Sequence, residues 1–212
     1  MGTLTRFQRI KEVKRRVEDG QLLTDQFFDQ LLSPKFRALS TRHWTPAEVA
    51  LRAAALLVES ASDHILDVGA GVGKVCVLGG LSTRAKFTGA ELREPFLKQA
   101  EALAEMFDVE RNVRFVAEDA LTLDWNHFTG FYFYNPFYEN ISELSRMHPP
   151  LDFGMARFEH SVKTVQEKLR TVRPGTKVVI FHGFGGGVPF GFERTIKEPV
   201  GPDFLELWIK RN

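Results

Sequence analysis

Cysteine is almost absent: Cys76 is the only one in 212 residues. An internal disulfide framework is thereby excluded, and a reducing compartment is expected. No apolar run is long enough to span a bilayer. The opening Met-Gly-Thr-Leu-Thr-Arg holds no signal-peptide core, and with Arg6 at its sixth position it misses the usual myristoylation pattern. These absences predict a cytoplasmic protein with no membrane partner. A surplus of either charge is missing too, since 28 Lys and Arg stand against 27 Asp and Glu for a net +1. Such a chain is not globally a nucleic-acid binder, although a local basic patch stays open. The histidines show no ligand spacing with cysteine or with one another, so no metal site is expected. Internal repeats and low-complexity segments are lacking as well.

What is present suits one domain with a proper core: 43% of residues are hydrophobic and 26% charged. Phenylalanine is unusually common at 19 residues, enough to fill a core and still line a substrate pocket. Residues 1–40 are expected to form a helical extension ahead of the main domain at 41–212. Phe7, Ile10, Val13 and Val17 fall at helical spacing, surrounded by Arg6, Arg9, Lys11, Lys14, Arg15 and Arg16. That basic surround is either a solvated face or an arm for an acidic partner. Gly20 should end the helix, Thr24 should cap the next, and Pro34 should stop it. Thr45-Pro46-Ala47-Glu48 has the spacing of a capping box and opens a helix to about Glu59.

From there strands are expected at 64–68, 86–90, 113–116, 130–134 and 177–181. Helices fall near 73–81, 95–107 and 155–172. Two further extended stretches follow near 190–198 and 204–210. Alternation of this kind implies an α/β, doubly wound, mostly parallel sheet of seven strands, with an antiparallel hairpin at its end.

Residues 65–73, Ile-Leu-Asp-Val-Gly-Ala-Gly-Val-Gly, carry the most information. A short apolar strand ends at a carboxylate, Asp67, followed by Gly69, Gly71 and Gly73, which permit a sharp turn and close approach of a ligand. A dinucleotide site requires G-x-G-x-x-G, but here the sixth position is Lys74, and an acid beside the turn would repel a pyrophosphate. It suits a ligand with a cationic end. A glycine-rich turn without any ligand is the plain alternative. Cys76, just beyond, reads as a buried helix residue rather than a nucleophile.

The pattern Asp-x-Gly-x-Gly-x-Gly resembles motif I of the class I S-adenosylmethionine-dependent methyltransferases. The order of elements extends that resemblance over nearly all of 41–212. It implies S-adenosyl-L-methionine as cofactor, gripped at the C-terminal strand ends, where doubly wound sheets bind ligands. Asp67, Gly69, Ala70, Gly71 and Gly73 follow the first strand. Glu91 closes the second, where a carboxylate can accept both hydroxyls of a ribose. Asp119 and Ala120 follow the third. By resemblance, the Asp119 side chain accepts from the adenine amino group and the Ala120 N–H donates to the ring. His43, Trp44 and Thr45 match an x-Thr-Pro segment that closes over the cofactor's methionine end in amino-methyltransferases.

Asn135-Pro136-Phe137-Tyr138, at the end of the fourth strand, resembles the Asn-Pro-Pro-Tyr motif of enzymes that methylate planar nitrogens. By that resemblance Asn135 and Pro136 accept hydrogen bonds from the target NH₂ and Tyr138 packs on its plane. Phe137 departs from the motif, which has a second proline there. Some non-SET lysine methyltransferases also carry Asn followed by aromatics at this point. An aromatic wall from Tyr132, Phe133, Tyr134, Phe137 and Tyr138 would favour a neutral amine by desolvation. The expected function is therefore methylation of nitrogen, with a protein side chain (lysine or amide) favoured as acceptor. RNA or a small molecule is the alternative, and a non-catalytic cofactor-binding subunit is the alternative of another class. His182 is open as a general base or as a histidine hydrogen-bonded in place. Gly185-Gly186-Gly187 reads as a mobile loop, a candidate lid. Oligomeric state is not readable from the chain.

Overall fold

A computed structural model of the chain describes residues 4–141 and 154–211. The initial Met-Gly-Thr, where an acylation signal would begin, lies outside the described residues. Eight α-helices are described: α1 Arg6–Glu18, α2 Asp25–Phe28, α3 Pro34–Arg37, α4 Ser40–His43, α5 Ala47–Leu57, α6 Lys74–Ser82, α7 Glu94–Phe107 and α8 Met155–Thr171. The strands are β1 His64–Val68, β2 Lys86–Ala90, β3 Val113–Val116, β4 Gly130–Tyr134, β5 Lys177–Phe181, β6 Phe192–Val200 and β7 Asp203–Lys210. They form one seven-stranded sheet in the order β3-β2-β1-β4-β5-β7-β6. The first five run parallel, and β7 enters antiparallel between β5 and β6. The chain reverses its winding between β1 and β4, and in such sheets the crevice beyond that point holds ligands. Among the described residues no helix is long and apolar enough to cross a membrane.

The parallel strands β1, β2, β4 and β5 are buried on both faces, as parallel sheets are, while the terminal strand β6 is largely exposed. Alternation along β4 shows how the phenylalanines are used. Phe131 and Phe133 face a core shared with Trp125, Val165 and Leu169, while Tyr132 faces the opposite core under α5, α6 and α7. Val13, Leu23, Phe28, Leu32 and Phe36 belong to that second core, so the first forty residues pack into the same apolar mass as α5–α7. Phe28 stacks on Phe107 with ring centroids 6.0 Å apart. Each such fully buried side chain contributes roughly 1.5–3 kcal/mol relative to exposure.

A polar anchor reinforces this docking. The Lys74 ammonium, buried at the start of α6, lies 2.6 Å from Asp25 Oδ1 and 2.8 Å from Asp29 Oδ1. The approach to Asp29 lacks hydrogen-bond alignment, whereas Lys74 Nζ does donate to Ser40 Oγ at 3.2 Å. The basic surround of α1 is largely engaged on the surface. Arg15 and Arg16 pair with Glu12 on their own helix, and Arg9 lies over the Phe27 ring. Exposed pairs of this kind contribute little.

Three local expectations differ from the structure. Thr45 does not cap α5: its hydroxyl lies 3.0 Å from the Tyr132 hydroxyl, and Asp25 Oδ1 accepts the Ala47 N–H at 2.9 Å instead. That helix ends at Leu57 rather than near Glu59. Pro34 starts α3 at its first position rather than stopping a helix, which is where a residue without an N–H costs nothing.

Candidate functional site

A cavity of about 290 Å³ opens at the C-terminal edge of the sheet, beyond β1, β2, β3, β4 and β5. Its wall begins with the glycine turn after β1. Gly69, Gly71 and Gly73 all hold positive φ, at 77°, 54° and 78°. The Gly69 and Ala70 N–H groups both donate to Ala90 O, at 3.1 and 3.0 Å, folding the turn against β2. Gly69 and Gly71 line the cavity. A Cβ at Gly69 would stand 3.1 Å from that of Pro136, and one at Gly71 would strike the Trp44 ring. Gly73 lies underneath, where a Cβ would meet Phe115 and Ala100.

Glu91 closes β2 and lines the cavity. Its carboxylate is pinned on two sides: Oε2 accepts the Gly71 N–H at 3.0 Å and Oε1 accepts the Arg93 N–H at 2.8 Å. Burial raises its pKa, and the Arg93 contacts pull against that rise. Arg93, itself buried, pairs with Glu139 across the cavity wall and so ties the loop after β4 to the loop after β2. Asp119 and Ala120 line the wall after β3. Asp119 Oδ1 accepts the Leu121 N–H at 2.9 Å, which fixes the turn.

The loop after β4 supplies Asn135, Pro136, Phe137 and Tyr138, all lining the cavity. Asn135 sits at φ 44°, a left-handed conformation that costs an ordinary residue roughly 1–2 kcal/mol. Asparagine visits it more readily than most. The Asn135 N–H donates to Gly183 O at 2.9 Å, coupling the ends of β4 and β5. Tyr138 is 44% exposed and stands as an accessible ring at the rim.

Three further predicted residues, Asp67, Thr45 and Ala70, lie off the wall. Asp67 is only 4% exposed and sits behind the turn, with the Cys76 thiol 3.7 Å from Oδ2. Burial pushes its pKa from 3.8 up to about 7. Burial likewise holds the Cys76 thiol well above its ordinary range, so it is no ready nucleophile. Thr45 is turned to Tyr132 and Ala70 into the turn, whereas Trp44 does line the cavity. Gly185 and Gly186 after β5 pack against α8 rather than the cavity. A Cβ at Gly185 would strike Phe158, and Gln166 Nε2 donates to Gly187 O. This packing argues against the lid expected there.

No protein-family model matches the chain. Solved structures do. An RNA methyltransferase from Salinibacter ruber in complex with S-adenosyl-L-homocysteine superposes with TM-score 0.59 at 19% identity, over 79% of this chain and 94% of that one. A candidate O-methyltransferase from Klebsiella pneumoniae gives 0.60 at 13% identity, over 95% and 97%. An rRNA methylase from Streptococcus thermophilus gives 0.50 at 13%, over 78% and 94%. The fold is that of the Rossmann-like methyltransferases. In this methyltransferase fold the cavity occupies the switch point, and it gathers residues that sequence reasoning passed over. Arg42, Arg93, Glu139 and Arg157 line it without any spacing signal in the chain. His182 lines it too, at φ 59°, with Nδ1 3.1 Å from Asp203 Oδ2.

Proposed function

We propose that the chain binds S-adenosyl-L-methionine in this cavity and transfers its methyl group to a nitrogen held at Asn135 and Pro136. The observation that carries the reading is convergence: the loops after β1, β2, β3 and β4 border a single cavity. The residues fit the cofactor. Backbone without side chains at Gly69 and Gly71 leaves room for close approach, and Glu91 and Asp119 offer acceptors for ribose hydroxyls and an adenine amino group. The Ala120 N–H would serve the ring, and Trp44 would cover the methionine end. Asp67 and Thr45 act from behind the wall, Asp67 as a carboxylate near a cationic group and Thr45 by fixing Tyr132.

When bound, the cofactor supplies the electrophilic methyl carbon. The chain's part is to hold the nucleophile in line and free its lone pair, and orientation alone can remove roughly 7–11 kcal/mol of barrier. The Asn135 side-chain oxygen and Pro136 carbonyl are the acceptors, and the Phe137 and Tyr138 rings bound the nitrogen's surroundings.

A protein side chain, lysine or amide, is the acceptor we favour, because Trp44, Tyr134, Phe137 and Tyr138 border a channel that disfavours an ammonium. An RNA base is the second reading. Arg42 and Arg157 on the cavity wall and the exposed Tyr138 ring favour it, since bases stack on such rings. Incubation of lysate with the enzyme and methyl-tritiated cofactor decides between them. Label in protein supports the first reading and label in RNA the second. No label, with S-adenosyl-L-homocysteine still bound, supports a non-catalytic subunit.

A further inference from the structure

We infer that His182 and Asp203 form a positioned proton acceptor for the nitrogen held at Asn135, with Asp203 orienting and His182 taking the proton. The inference rests on the methyl-transfer reading and adds to it a residue that neither Asn135 nor the glycine turn supplies. His182 lines the cavity directly after β5, and Asp203, which opens β7, reaches it because β7 pairs antiparallel with β5. The His182 Nδ1 to Asp203 Oδ2 distance is 3.1 Å, an ion-pair contact that lacks hydrogen-bond alignment. With Nδ1 turned to the carboxylate, Nε2 is the ring nitrogen left for the cavity. The ring is fixed on its other sides by Tyr134, at 5.3 Å between centroids, and Phe181, at 4.2 Å. Asn135 is held beside it through the Gly183 carbonyl.

The chemistry requires such a group when the acceptor is an amine. An ammonium has no lone pair. Its N–H bond breaks and the proton passes to His182 Nε2, whose own pair forms the new N–H bond. The pair released on nitrogen then forms the N–CH₃ bond, and the electrons of the sulfur–methyl bond stay on sulfur, converting a sulfonium to a neutral thioether. Asp203 offsets the imidazolium charge. A neutral ring with its proton on Nδ1, the nitrogen beside the carboxylate, keeps Nε2 bare, the arrangement a base needs. Among the described residues, the charged and titratable groups against His182 are Asp203 from β7 and Tyr134 from β4, with Arg157 of α8 lining the same cavity and Asp25 of α2 acting on Tyr134.

Nitrogen NMR of the full-length protein labelled at histidine rings tests the arrangement without any acceptor, with His182→Gln assigning the signal. At pH 8 the wild-type ring is expected with a proton on Nδ1 and none on Nε2, and Asp203→Asn is expected to move the proton toward Nε2. A proton on Nε2 in the wild type, or a spectrum indifferent to Asp203→Asn, overturns the inference. Methyl incorporation into lysate provides the second readout. His182→Gln should lower it by about 10²–10⁴-fold at pH 7 and recover part of the loss near pH 10, where the amine sheds its own proton. A loss that ignores pH overturns the base role. Calorimetry with S-adenosyl-L-homocysteine separates the two levels: no binding by the wild type overturns the methyl-transfer reading and this one with it. Intact binding with a protonated Nε2 overturns only this one.

Discussion

The indole edge of Trp44 occupies the space that a side chain at Gly71 would take. A Cβ built there would stand 2.7 Å from Trp44 Cζ3. The ring cannot easily retreat, because Nε1 donates to Phe36 O at 2.8 Å and the ring meets Phe96 edge-on at 5.2 Å. Gly71 is therefore fixed three ways, by a φ of 54°, by the indole and by its N–H on Glu91. Gly71→Ala is expected to cost roughly 1–3 kcal/mol of stability through strain and overpacking. It should also lower affinity for S-adenosyl-L-homocysteine more than tenfold, because the Trp44 wall must move. Thermal unfolding and calorimetry measure the two effects; unchanged affinity would mean that the ligand sits elsewhere.

Lys74 gives the sharpest stability prediction. It is 2% exposed and faces Asp29, itself 7% exposed. Replacing the ammonium by an apolar chain leaves Asp29 buried and uncompensated, and breaking one partner of a buried pair costs about 3–5 kcal/mol. Lys74→Met should lower the urea midpoint by that equivalent, and adding Asp29→Leu should restore much of the loss. If the double variant is no better than the single, the charge is not what Lys74 satisfies.

The contrast between these two residues explains what the chain disclosed on reading. Gly71 announces itself because a strand, a turn and a helix N-terminus are local patterns, and all seven strands follow from such patterns. Lys74 reads as an ordinary helix residue because its partners Asp25 and Asp29 stand more than forty positions earlier. For the same reason the Thr45-Pro46-Ala47-Glu48 spacing misleads: a capping box is a local device, and Tyr132, far along the chain, takes the Thr45 hydroxyl instead. His182 was visible as a histidine at a strand end, but Asp203 becomes its partner only once the terminal hairpin folds back along β5. Local periodicity reports elements, and tertiary pairing decides what their polar groups do.

Asn135→Ala separates binding from transfer. The Asn135 N–H on Gly183 O belongs to the backbone and survives the change, so the loop keeps its tie to β5. Only the side-chain acceptor disappears. Binding of S-adenosyl-L-homocysteine should stay within about threefold of wild type, since less than 1 kcal/mol is at stake there. Turnover should fall by on the order of 10²-fold or more, the loss seen when one preorganised hydrogen-bond partner is removed. Asn135→Gly, which removes the same acceptor but relaxes the φ of 44°, should show the same turnover loss. Full turnover in either variant would remove Asn135 from the chemistry.

Asp67 makes stability depend on pH in an unusual direction. Its carboxyl is raised from 3.8 to about 7, chiefly by burial, with the negative charge of Glu91 adding to the rise. Between those values the folded protein keeps a proton that the unfolded chain has released. Folding therefore binds protons, and stability falls as pH rises from about 4 to 7, then levels off. Glu91, also raised by burial, has the same sign. Glu12, held down to about 2 by Arg15 and Arg16, acts the other way and only at lower pH, losing its contribution as the solution is acidified. Asp67→Asn copies the protonated shape without the ionisation. The variant and wild type should be nearly equally stable at about pH 3, and the variant should gain until it leads by roughly 4 kcal/mol near pH 8. Urea unfolding at intervals across that range isolates Asp67 from every other carboxylate, because only the difference between the two proteins matters. A constant difference would show that Asp67 ionises normally. A cationic ligand in the adjoining cavity would favour the carboxylate, so wild type should release protons on binding the sulfonium S-adenosyl-L-methionine at pH 6.5, and Asp67→Asn should release fewer. Calorimetry in two buffers of different ionisation enthalpy reads that number directly, linking the buried acid to the site in front of it.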